Sequence, residues 1–207
     1  MTYSELKTNI GNWLNRSDLT SVIPTFVTLA ESRLNRQLRT TDQYTRSTLT
    51  TADNYLSMPD DFLEMSHLRT TAPKERELLE IGTSQINEAN DSNFTASLPD
   101  TYPRYFVYHQ TLRVFPAPTE SIDYEMYYYA KVPALNDSTQ PTNWLIDAHP
   151  DAYLYYSLLA AEPYLGSDER IPVWQSFADR AVAEVQGSSE RRKNKGSRHV
   201  FYFEAIG

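Results

Sequence analysis

The chain has 207 residues, 40% hydrophobic and 13% aromatic, with a formal charge of −8 and no cysteine. That length supports one full core, or one core with a smaller subdomain, and the acidic balance excludes a general nucleic-acid binder. The lack of cysteine excludes disulfides, thiolate metal sites and cysteine catalysis.

MTYSELK carries no basic segment leading into an apolar run, and no stretch approaches membrane-spanning length. The expectation is a soluble protein assembled in a cytoplasm, with no membrane partner. Thr2 followed by Glu5 forms a capping box, and Tyr3, Leu6, Ile10, Trp13 and Leu14 share a stripe, which predicts a helix over 3–15. A second helix starts near Pro24 and ends near Arg39. Phe26, Leu29, Ala30, Leu34 and Leu38 face inward there, and Glu31, Arg33, Asn35, Arg36 and Arg39 face outward.

From Thr40 the period changes to that of strands. Tyr44–Leu49 and Tyr55–Met58 flank a turn at Ala52–Asn54, Asp60 and Asp61 cap a single turn carrying Phe62 and Leu63, and Met65–Thr70 is another strand. After a turn at Pro73–Glu75, Leu78, Leu79 and Ile81 resume the apolar pattern, followed by a short helix over 83–88 and a polar loop over 90–99. A hairpin spans 104–115 about His109, Gln110 and Thr111. The strand 121–130 then puts Ile122, Tyr124, Met126 and Tyr128 on one face, and Asp123, Glu125, Tyr127 and Tyr129 on the other.

The organising stretch is TNWLIDAHPDAYLYYSLLAAEPYL, residues 142–165. Pro150 and Asp151 suit a first helical turn, the following helix is apolar on most sides, and Pro163 and Gly166 end or kink it. A last helix runs from about Asp168 to about Ser188, with Ile171, Trp174, Phe177, Ala178, Ala181 and Val185 on its stripe. Beyond it come Arg191, Arg192, Lys193, Lys195 and Arg198, then the aromatic run Val200–Phe203, so an acidic body carries a basic end. The expected fold is α+β. Segments 1–41 and 133–189 make a helical bundle, 42–132 a β-rich subdomain, and 190–207 an extended basic and aromatic tail.

Motifs for chemistry are scarce. GxGxxG, Walker A, GxSxG and HExxH patterns are all absent. Asp147, His149 and Asp151 alternate around Pro150 as capping groups rather than as a metal set, and Asp60–Asp61 after Pro59 read as a helix cap rather than a glycosidase pair. The Asn- and Asp-rich stretch 87–93 lacks the glycine and closing glutamate of a calcium loop. No catalytic residue, metal or cofactor is expected. Tyr124, Tyr127, Tyr128 and Tyr129 suit strand packing or contact with a subunit or tail protein better than base stacking.

Five stretches in one order carry a family likeness: MTYSELKTNIGNWLNRSDLTSVIPTFVTLAESRLNRQLR, PDDFLEM, LRVFPAP, MYYYAKVPALND and TNWLIDAHPDAYLYYSLLAAEPYL. Over Met1 to about Arg192 the chain resembles tailed-bacteriophage head-to-tail adaptor, or connector, proteins; Lys193–Gly207 has no counterpart in that pattern. The resemblance implies a structural virion protein at the head–tail junction, assembled in the host bacterial cytoplasm. It implies a ring, usually a dodecamer, beneath the portal protein, extending the DNA ejection channel and giving the tail its attachment platform. Implied partners are further copies of the chain, the portal, nozzle or tail-tube proteins and tail fibres, with genomic DNA passing non-specifically. On that reading Arg191, Arg192, Lys193, Lys195, Arg198, Phe201, Tyr202 and Phe203 dock on the portal. The rival readings are a phage-tail carbohydrate-binding or hydrolase module built on the tyrosines and carboxylates, and a DNA-binding accessory protein using the basic end.

Overall fold

Thr2 and Glu5 open the chain as a reciprocal cap. In the computed structural model, which describes residues 1–51, 53–71, 75–86, 103–166 and 168–195, the Thr2 hydroxyl accepts from the Glu5 amide at 3.2 Å. The Glu5 carboxylate accepts from the Thr2 amide at 2.7 Å, and that bond holds its pKa below the usual carboxylate range. Helix α1 (Tyr3–Leu14) buries Tyr3, Leu6, Ile10 and Leu14, and Asn15 ends it in the left-handed region at φ 54°. Trp13, expected on the inward stripe, lies on its flank and is 44% exposed.

Helix α2 (Ile23–Gln37) starts on Pro24 and buries Phe26, Val27, Ala30 and Leu34. Leu29 is the second exception to the inward stripe, at 52% exposure. Glu31 and Asn35, expected to face solvent, instead accept the backbone amides of Leu135 and Val132 at 2.8 Å each. A connecting segment with no ladder of its own thereby satisfies its donors on a helix.

The organising stretch divides into helices α3 (Trp144–Ala148), α4 (Pro150–Ala160) and α5 (Glu162–Leu165). Each break has a local cause: Pro150 and Pro163 restart helices at their first turns, and Gly166 stops the last with φ +66°. α4 packs against α1, α2 and helix α6 (Ile171–Asn194), burying Ala152, Tyr153, Tyr156, Ser157, Leu158 and Leu159. Asn143 caps α3, its Oδ1 accepting from the Leu145 and Ile146 amides, while its Nδ2 donates to the Pro133 carbonyl and the Tyr153 hydroxyl, both at 2.7 Å.

Tyr153 in turn donates to Glu31, whose pKa is nonetheless raised because burial outweighs the bonds from Leu135 and Tyr153. A carboxyl whose folded pKa lies above its ordinary 4.5 contributes stability that is full below that value and is lost as pH rises through the folded pKa. The difference in unfolding free energy between wild type and Glu31→Gln should therefore fall as pH rises from acid toward neutral. Urea titrations across that range test this, and a flat difference would refute it.

α6 corrects the expected boundary near Ser188 and the extended tail expected from residue 190: the helix continues to Asn194. Arginine and lysine are good helix formers and suit a carboxyl end. The turn holding Gly187 is tied down on both sides, Gln186 donating to the Gln37 carbonyl at 3.0 Å and Ser189 accepting from the Thr41 amide at 2.9 Å. Phe177, expected on the buried stripe, is 41% exposed.

Strands fill residues 43–131. They are β1 (Tyr44–Thr51), β2 (Tyr55–Ser57), β3 (Phe62–Thr70), β4 (Arg76–Glu80), β5 (Arg104–Tyr108), β6 (Thr111–Phe115) and β7 (Ile122–Ala130). The sheet order is β1-β7-β3-β4-β5-β6-β2, antiparallel except for β4 with β5. β4 turns a corner, pairing with β3 through Arg76–Leu78 and with β5 through Leu79 and Glu80. Leu56, Leu68, Leu78, Leu112, Tyr124, Met126 and Tyr128 form its core. Phe62 and Leu63 open β3 rather than sitting in a capped helical turn, because the Phe62 amide closes a turn onto the Pro59 carbonyl at 3.0 Å. The expected helix over 83–88 is a single 3-10 turn at Thr83–Gln85 among the described residues. The turn residues Pro73 and Lys74 and the polar loops read over 87–93 and 90–99 lie outside the described residues.

The fold is thus mixed α+β, with six helices and a seven-stranded sheet among the described residues. It divides into two compact units, Met1–Asp42 with Val132–Gly207, and Gln43–Lys131. The helices share one core in the first unit.

Candidate interaction surfaces

The basic residues singled out in the sequence fall on the last turn of α6. Arg192 makes a two-pronged ion pair with Asp42, Nη1 donating to Oδ1 at 2.8 Å and Nη2 to Oδ2, which raises the Arg192 pKa. Arg191, Lys193 and Lys195 are exposed around it. The Gln186–Gln37 and Ser189–Thr41 bonds bring the carboxyl end of α2 alongside, so Arg36 and Arg39 join the same end of the unit. Arg39 reaches back to the Asn35 and Leu38 carbonyls at 2.9 and 2.6 Å. Two helix carboxyl termini meet there, and these cations complement both dipoles. The arginines of α2 were visible in the sequence as dipole partners but not as neighbours of the α6 end. Arg198, Phe201, Tyr202 and Phe203 lie outside the described residues.

The four tyrosines of β7 divide by the two-residue period of the strand. Tyr124 and Tyr128 are 3% and 4% exposed, within the core of their own sheet, so they are corrected as surface residues. Burial, and then the bond from its hydroxyl to Asp61 at 3.0 Å, push the Tyr128 pKa up to about 12. Tyr127 and Tyr129 point the other way. Tyr127 stacks on His67 at 4.3 Å between centroids and on Tyr44 at 6.1 Å, and Tyr44 meets Tyr129 edge-on at 5.6 Å. Beneath them Glu125 accepts from Arg69 Nε at 2.7 Å and Arg46 Nη1 at 3.1 Å. The bond from Arg69 holds the Glu125 carboxyl below its usual range. His67, Arg69 and Arg46 were not singled out in the sequence; they stand across the ladder from β7, and only the register brings them together.

The remaining candidates do not converge. Asp147 pairs with the terminal amine of Met1 at 3.9 Å, and Asp61 is engaged by Tyr128. Among the described residues no three histidines or carboxylates gather as a metal-ligand set, and no helix is long and apolar enough to cross a membrane. What the molecule offers is a cationic helix end, an aromatic and ion-paired sheet face, and a line of partly exposed rings on the helical unit: surfaces for contact.

Comparison with curated proteins gives no match. A family model described as SU10 adaptor protein matches residues 1–200, nearly the whole chain. This is a phage head-to-tail adaptor family, structural rather than an enzyme class, whose members are virion components with portal and tail partners in general. On that match the chain belongs to the SU10 adaptor protein family of bacteriophages.

Proposed function

We propose that the chain assembles as a ring, usually a dodecamer in adaptors of this kind, beneath the portal of the filled capsid. There it extends the DNA channel and gives the tail its platform. The single observation that carries this reading is the family match over residues 1–200. Physical chemistry supports it: with a net charge of −8, an acidic wall lets DNA slide without binding its phosphates. The helical ends form the ring wall, the strands of the middle reach toward the tail or a neighbouring copy, and assembly takes place in the host cytoplasm.

The basic end of α6, with the aromatic segment that follows it in sequence, docks on the portal. Arg191 and Lys195 are the residues to change, because Arg192 is needed for its pair with Asp42. Arg191→Glu with Lys195→Glu should weaken co-sedimentation with purified portal rings by roughly ten-fold or more, as expected when interfacial cations meet like charge. The thermal midpoint should fall by no more than a few degrees, the cost of reversing two exposed charges at a helix carboxyl end. Unchanged binding would overturn the docking assignment, and a wild-type chain that ignores the portal would overturn the adaptor function itself.

A further inference from the structure

On the helical unit the exposed rings of Trp13 and Phe177 are joined into one line by the half-buried ring of Tyr155. Trp13 of α1 meets Tyr155 of α4 edge-on at 5.9 Å, and Tyr155 meets Phe177 of α6 at 5.1 Å. One turn before Phe177, Val173 is half exposed. Arg170 fixes this edge, donating to the Trp13 carbonyl at 3.0 Å while Asp168 holds its guanidinium. The rim is acidic, with Asp151 one turn before Tyr155, and Asp168 and Glu169 beside Arg170. Exposed aromatic rings around an anchored arginine have the composition of an interface centre.

The other flank of α1 is a groove. Lys7, Thr8, Gly11, Asn12 and Arg16 line it on one side and Ile23 on the other, around a volume of about 680 Å³, in keeping with a cleft that takes a few side chains. Its walls carry two cations and no carboxylate; Lys7 and Arg16 are tethered from outside it by Asp137 and Asp18. Gly11 lies in its floor. A Cβ there would stand 3.6 Å from Ile23 Cδ1, an ordinary contact, so the packing of α1 on α2 does not require glycine. Yet glycine inside a helix costs about 0.5–1 kcal/mol relative to alanine. The missing side chain leaves room at that point for a group entering from outside.

Gly11 and Trp13 are two residues apart, roughly 200° around the helix, so knob and groove occupy opposite flanks of one element. We propose that the knob Trp13–Tyr155–Phe177 of one copy seats in the α1–α2 groove of the next. The charge argues for a second copy as the occupant: beyond its Asp168–Arg170 pair the knob is rimmed by Asp151 and Glu169, and the groove lining carries Lys7 and Arg16, whose paired carboxylates Asp137 and Asp18 lie outside that lining. A contact between unlike flanks is head-to-tail and propagates until it closes as a ring. The inference rests on the ring reading above and names the faces that would make it.

The absence of cysteine makes the test clean. Thr8→Cys marks the groove of one chain and Val173→Cys the knob edge of another, and the two are mixed with a short flexible bismaleimide, free and on portal rings. The expected product is a covalent dimer joined from position 8 to position 173, formed in the mixture and not by either variant alone. Trp13→Ala in the knob chain should cut its yield roughly ten-fold, as for a hot-spot aromatic. Gly11→Leu in the groove chain should do the same with the fold retained by circular dichroism. Equal self-linking by each single variant, or no 8-to-173 product in either setting, overturns the contact. Portal binding that persists without the link refutes this contact and leaves the adaptor function standing; a link formed by a chain that ignores the portal does the reverse.

Discussion

Asn143→Ala should destabilise the chain by roughly 3 kcal/mol, measured by urea unfolding. The side chain makes four bonds at 5% exposure, two accepted from the first amides of α3 and two donated to the Pro133 carbonyl and the Tyr153 hydroxyl. Loss of an N-cap costs about 1 kcal/mol, and each buried polar group left unsatisfied adds about 1–3 kcal/mol before relaxation. Asn143→Ser separates the two contributions. Serine caps as well as asparagine but is too short to reach Pro133 and Tyr153, so it should recover roughly 1 kcal/mol. Identical serine and alanine variants would show that the cap contributes nothing here, and a cost below about 1 kcal/mol would show that the loop finds other partners.

Leu112→Ala should cost roughly 3 kcal/mol, within the range for a leucine removed from a packed core. Leu112 is fully buried in β6, paired with Leu56 on one side and Val107 on the other. The same change at Leu79 in β4, which is 52% exposed, should fall within about 0.5 kcal/mol. The pair is informative because side chain and substitution are identical and only burial differs. Equal effects on the unfolding midpoint would mean that the sheet packs its other face on something.

Local signals were legible where chemistry and period agreed. The capping box at Thr2 and Glu5, the prolines at 24, 150 and 163, the hairpin of β5 and β6, and the alternation along β7 each appear where the residues point. The misplaced faces have one cause: periodicity assigns a residue to a flank but does not say whether a neighbour covers that flank. Trp13, Leu29 and Phe177 fit their apolar stripes and end at the edge, while Glu31 and Asn35 fit the polar face and serve the segment at Val132–Leu135. The α6 boundary was misplaced because Gly187 and two serines look like a stop, and only the long-range bonds to Gln37 and Thr41 hold them helical. The surfaces were less legible than the elements. The basic run was plain, but its union with the α2 arginines, and the assembly of Tyr44, His67, Arg69 and Tyr127, depend on tertiary packing and strand register.

The corner in β4 has a kinetic consequence. Its pairing with β5 rests on two residue pairs, with amides of Leu79 and Ile81 reaching the Pro103 and Tyr105 carbonyls at 3.0 and 2.9 Å. β3 and β7, by contrast, are laddered along most of their length. More than twenty residues separate the two strands at that seam, so little enthalpy is gained against the entropy of closing a long segment. The seam is the thinnest pairing of the sheet, so the amides of Leu79 and Ile81 should exchange with solvent faster than those of the β3–β7 spine, and equal protection would show that the corner is held by its side chains instead.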